Sequence, residues 1–238
     1  MACFTQGYIK GVDFQVRLLG TLSQNLQVST HVTDKGFIFS STNANVVPPY
    51  VRKSIDEFQW QRLCDIRQSP DVEVVNEFYA NLTPTTSTEV IVSDSSVTLM
   101  SETINALFEL PNIEDDGYSA MLQDVEWELL QEVLHAFTIP KTQWMISLHG
   151  SHSCQREFLI PVAKVWCYFL RFSLMPSSHG STISMECMFL LYAILMECSI
   201  NISKLIVKEI RDCSVKRVRC AFFPSLITKL CKKVSIPM

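Results

Sequence analysis

Glycine is scarce in this chain, with 7 in 238 residues. Neither a GxGxxG nor a GxxxxGK[ST] pattern occurs, so a glycine-rich phosphate cradle is not expected. Nine cysteines are present, yet none forms a CxxC pair. Most sit inside apolar runs, which fits reduced, buried small hydrophobes and an intracellular protein without disulfides. Long hydrophobic runs are also missing. The longest, Cys187 to Met196, lies between Glu186 and Glu197. As a helix it would reach about 15 Å, half of a bilayer core, so it is expected as a buried helix with no membrane partner. The first residues, MACFTQGYIKGVDFQ, lack an apolar core followed by a small-residue cleavage site, so a secretory leader is not expected. The sequons at Asn81 and Asn201 then carry no glycosylation. No internal repeat and no low-complexity segment is visible.

What remains is a globular composition, 47% apolar and 18% charged. At this length folding buries roughly 70% of the extended-chain surface, enough for a core without metal or disulfides. The net charge of −4 conceals an asymmetry. From Lys204 onward there are nine basic residues against Glu209 and Asp212, a net +7, and the remainder carries −11. Such a block marks either a nucleic-acid surface or solvated helix faces against which the acidic part docks.

Helix signals dominate from residue 54. Ser54-Ile55-Asp56-Glu57 reads as a capping box, with Pro48-Pro49 closing the loop 40–49 before it. Ser69-Pro70-Asp71 reads as a second start, with Ser69 as N-cap and Pro70 in the first turn. Val72, Val75, Phe78, Tyr79 and Leu82 then form a 3.6-residue stripe. Alternation at Val90, Val92, Val97 and Leu99 around Asp94-Ser95-Ser96 predicts a hairpin over about residues 89–100. Helices follow at 103–110, from Asp124 to about Phe137 with Trp127 inward, at 158–174, from Thr182 or Ser184 to Leu195, from Ile202, and from Phe223. Residues 144–153 read as a connector. The expected fold is mainly α: a single helical domain over 34–238 with one small β-hairpin, preceded by an arm at 1–33 in which Leu18, Leu19, Leu22 and Leu26 share a helical face.

The segments VNEFYANL (75–82), TINALFELP (103–111), LMPSSHGSTIS (174–184), LLYAILMECSINISKLIVKEIRDC (190–213) and FFPSLITKLCKKVSIP (222–237) stand in the order and spacing of the plant transposon protein domain, which the chain resembles over about 34–237. Asp34-Lys35-Gly36-Phe37 resembles that domain's opening. The resemblance implies mobile-element ancestry and supplies no catalytic residues. The chain departs from the family where glycine is usual: at Glu197 or its neighbour, at Ser203 and at Cys220. Ser93-Asp94 replaces a frequent Arg-Gly turn.

Candidate chemistry is thin. A transposase of the three-carboxylate type needs acids converging on two metal ions from an α/β core. Asp56, Asp94, Asp124 and Glu157 each read instead as helix-start, turn or surface residues. His149, His152 and Cys154 form one metal-like cluster without the second ligand pair of a zinc site. His179 stands before a helix whose start Ser181, Thr182 or Ser184 can cap. No catalytic residue, cofactor or metal is expected. The basic segment interleaves charge and apolar residues, so Lys216, Arg217, Arg219, Lys229, Lys232 and Lys233 are the nucleic-acid candidates, with Phe222 or Phe223 available for stacking or as core anchors. The functional expectation is a mobile-element-derived, non-enzymatic domain of unknown molecular role, for which weak nucleic-acid binding and self-association are the open activities. A transposase or nuclease relic and a plain interaction module are the alternatives.

Overall fold

The structure, a computed structural model, describes residues 48–64, 70–83, 88–175, 181–215 and 222–236, without the side chains of Phe172 and Val215. The arm at 1–33, the family's opening at 34–37, most of the loop 40–49, Ser69, His179, Lys216, Arg217, Arg219 and Cys220 lie outside these residues.

Helix α1 spans Pro49–Glu57. It begins five residues before the expected capping box. Pro49 occupies the first turn, where a missing N–H costs nothing and φ is already helical. Ser54 therefore sits inside the helix, and its hydroxyl donates to the Tyr50 carbonyl, one turn back. Gln59, with φ of 58°, ends the run, and a short α2 follows at Gln61–Cys64. Helix α3 covers Val72–Asn81. Its N-cap is Asp71, whose carboxylate accepts from the Glu73 and Val74 amides and lies at the positive end of the helix dipole. Val74, Val75, Phe78 and Leu82 are buried, whereas Val72, part of the apolar stripe in the sequence, is 64% exposed.

Strands β1 (Glu89–Val92) and β2 (Ser95–Thr98) form the predicted hairpin, with Val90, Val92, Val97 and Leu99 buried. Its turn is Ser93-Asp94, one residue earlier than the polar run suggests. Both residues have positive φ, 46° and 60°, the twist that a two-residue hairpin requires. Helix α4 (Ser101–Phe108) ends at Glu109 in the left-handed region. A helix not anticipated from the acidic run, α5 (Gly117–Gln123), is capped by Asp116, which accepts from the Ser119 amide. Asp124 closes α5 and does not open α6 (Trp127–Phe137). Trp127, at the first position of α6, is 58% exposed, because the inward face starts only at Leu130.

The connector after α6 contains two strands, β3 (Met145–Ile146) and β4 (His152–Gln155). With β5 (Thr182–Ser184) they make a second antiparallel sheet, ordered β3-β4-β5. These strands of two to four residues are too short for alternation to show. Pro161 occupies the first turn of α7 (Pro161–Ser173). Ser184 caps α8 (Met185–Leu195), accepting from the Cys187 amide, which selects one of the caps open in the sequence.

Helix α8 is the hub. It packs against α5, α6, α7, β4 and β5. Seven consecutive residues, Met188–Ile194, are buried, so the helix has no polar face to present to water. A side chain such as Phe189 contributes roughly 1.5–3 kcal/mol through burial, an upper figure because unfolded chains are already partly collapsed. Its end is a Schellman turn. Glu197 has φ of 54°, the Cys198 amide donates to the Ala193 carbonyl, and the Glu197 amide to Ile194. A left-handed position of this kind is one that glycine adopts without strain.

Helix α9 runs Ile202–Val215 and α10 runs Pro224–Lys233. The chain is mainly α, with two small antiparallel sheets among the described residues in place of one hairpin. None of the described cysteines forms a disulfide. No described helix is long and apolar enough to cross a membrane.

Candidate nucleic-acid interface

The basic segment begins on α9. Asn201 opens that helix by accepting from the Lys204 amide at 3.0 Å, while its own amide donates to the Ile113 carbonyl at 2.9 Å. Ile202, Leu205, Ile206 and Ile210 face inward, and Lys204 points outward. Lys208 is engaged by acids of its own helix, at 3.1 Å from Asp212 and 3.8 Å from Glu209. Burial works against its charge. The hydrogen bond to Asp212 and the fields of Asp212, Glu209 and Glu186 outweigh that, and its pKa is raised.

Helix α10 is amphipathic. Leu226, Ile227, Thr228, Leu230 and Cys231 are buried. Two hydrogen bonds to α3 seat it: the Asp71 amide donates to Thr228 Oγ1 at 3.0 Å, and Tyr79 Oη donates to the Phe222 carbonyl at 2.6 Å. The other face carries Lys229, Lys232 and Lys233, three and four residues apart and therefore neighbours on the helix surface. Lys229 Nζ lies 4.6 Å from the centre of the Phe108 ring, a cation–π contact. Lys232 and Lys233 are exposed in the last turn, where the helix dipole favours positive charge. Among the described residues, none of Lys204, Lys229, Lys232 and Lys233 forms a salt bridge. No described acid of the remainder therefore pairs with this part of the tail.

The structure thus brings three of the six sequence candidates onto one helix face. The other three, Lys216, Arg217 and Arg219, fall in the segment between α9 and α10 that lies outside the described residues. Phe223 is half-buried, with φ of 54°, immediately before Pro224. Phe222 is also half-buried. The Phe108–Lys229 and Tyr79–Phe222 contacts join residues far apart in sequence and leave no local signal.

The other candidates are dispersed. Asp56 is exposed and accepts from Gln61, Asp94 is in the hairpin turn, Asp124 ends α5, and Glu157 lies in the 3-10 turn at Arg156–Phe158. His149 is exposed at a loop tip, and His152 packs edge-on to Trp144 at 6.1 Å. Cys154 is buried, which pushes its thiol up to about 11. Among the described residues no group of three His, Cys, Asp or Glu side chains is placed to hold a metal ion.

Residues 56–237 match the family model described as "Putative plant retrotransposon-related domain". Neither the curated proteins nor the solved structures contain a match to the chain.

Proposed function

We propose, because the chain belongs to the plant retrotransposon-related domain family, that it is a non-enzymatic domain of mobile-element origin that binds nucleic acid weakly and without sequence preference through its C-terminal basic segment. The observation that carries this is the face of Lys229, Lys232 and Lys233 on α10, free of carboxylate partners among the described residues and backed by a buried apolar face. Ammonium groups of this kind displace counterions from phosphates, so the contact is electrostatic and indifferent to base identity. The +7 balance from Lys204 onward supplies attraction that a net charge of −4 would otherwise oppose.

Titration of labelled single- and double-stranded DNA and RNA at several salt concentrations tests the reading. Log affinity should fall linearly with log salt, with a slope of about −0.7 to −0.9 per neutralised phosphate. Replacing Lys229, Lys232 and Lys233 by Gln should make the slope shallower by about one for each phosphate no longer neutralised. An affinity indifferent to salt, or unchanged in the triple variant, rejects it.

A further inference from the structure

We infer that a second, separate anion site lies at the junction of β4, α7 and β5, and that its ligand is a phosphate group. An open cleft of about 360 Å³ is lined there by Gln155, Arg156, Glu157, Lys164 and Ser181. The lining comes from three places in the chain. Gln155 ends β4, Arg156 and Glu157 belong to the 3-10 turn, Lys164 lies in the first turn of α7, and Ser181 precedes β5. The Arg156 amide donates to the Ser181 carbonyl at 2.9 Å, which fixes the two edges relative to one another.

Two basic residues, Arg156 and Lys164, therefore line one concavity beside Glu157, and neither has a carboxylate within salt-bridge distance among the described residues. Glu157 on the same lining offsets one of the two positive charges, so an anion entering the cleft meets a net positive surface. The net lining charge is only +1, so the attraction it offers an anion is weak. The donor set selects phosphate over carboxylate. A guanidinium fork, an ammonium and a hydroxyl offer more donors than two carboxylate oxygens accept, whereas phosphate presents three or more oxygens. The site uses no residue of α10, so it stands whether or not the C-terminal face binds nucleic acid.

The test follows backbone amide signals by NMR while inorganic phosphate, adenosine 5′-monophosphate, acetate, and an oligonucleotide with or without a 5′-phosphate are added. Saturable shifts at Arg156, Lys164 and Ser181 with phosphate, about tenfold weaker in Lys164→Ala and Arg156→Gln and unchanged in Lys53→Ala, support the site. Shifts from the monophosphate and the 5′-phosphorylated oligonucleotide alone identify a terminal phosphate; equal shifts from the unphosphorylated strand identify a backbone phosphate. Absence of saturable shifts, equal response to acetate, or phosphate binding untouched in both variants overturns the proposal. Lys164 is exposed, so Lys164→Ala reads the site even if Arg156→Gln lowers stability.

Discussion

The hydroxyl of Tyr79 donates to the carbonyl of Phe222 at 2.6 Å, across 143 residues of chain. It ties the second half of α3 to the entry of α10, so the helix bearing the basic face is held by a residue near the domain's start. Burial pushes that phenol well above its ordinary range, keeping it a donor at any physiological pH. Tyr79→Phe should cost about 1–2 kcal/mol, because a partly buried carbonyl loses its partner. Urea unfolding measures the loss, and amide exchange should show it concentrated at the start of α10. An unchanged midpoint would count against the bond.

The turn after α8 docks the loop before α5. Ser199 Oγ donates to the Asp115 carbonyl at 2.5 Å and accepts from the Gly117 amide at 3.0 Å. A Cβ at Gly117 would come within 3.2 Å of that same oxygen, so any other residue would push the Ser199 hydroxyl back by a few tenths of an ångström. Asn201 makes the second tie, to Ile113, while capping α9. Ser199→Ala and Asn201→Ala should each cost about 1–2 kcal/mol, and the double variant less than the sum, since both hold one loop. A double-mutant cycle with zero coupling would show that the two ties act independently.

Glu197 occupies a left-handed position that glycine adopts without strain. Glu197→Gly should therefore raise stability by about 0.5–1 kcal/mol, a rare case of a glycine substitution that helps. Thermal melting decides the sign. A lower melting temperature would mean that the Glu197 side chain contributes more than its backbone costs.

Alkaline pH should loosen the fold. Burial pushes the thiols of Cys154 and Cys231 up to about 11 from an ordinary 9.0. The folded chain then keeps protons that the unfolded chain releases, so this stabilisation is complete below pH 9 and declines as pH rises to about 11. Each thiol contributes a slope of at most about 1.4 kcal/mol per pH unit. Tyr50, pushed up to about 12 by burial, extends the decline. Urea midpoints between about pH 8 and about pH 11 should fall, and less steeply in a Cys154→Ala, Cys231→Ala variant. A flat profile contradicts the assignment.

Elements with strong local physics are legible in the sequence. The Val90, Val92, Val97 and Leu99 alternation marks the hairpin, and the unbroken apolar run at 187–196 marks the hub helix. Pro161, Pro224 and Ser184 mark helix starts where the sequence places them, whereas other proline and cap signals point to the right neighbourhood but the wrong position. Pro49 starts a helix that its sequence context places later, Asp71 is the cap near the expected Ser69, and Asp124 closes a helix instead of opening one. Each error has one cause: the same residue type suits both sides of a helix boundary, and only the downstream hydrogen bonds choose between them. The second sheet leaves no trace in the sequence because its pairing joins β4 to β5 across the whole of α7.

The sequence by itself determined the helical class, the family and the location of the basic block, because these rest on periodicity, segment order and composition. Tertiary structure decided which lysines are available. Helix spacing alone pairs Lys208 with Asp212 one turn away, whereas packing sets Lys229 over Phe108 and leaves Lys229, Lys232 and Lys233 without a described acid at salt-bridge distance. It also decided that Arg156 and Lys164 line one cleft. Charge is a property of the residue and a helix fixes partners one turn apart, but partners from distant segments are fixed only when those segments pack.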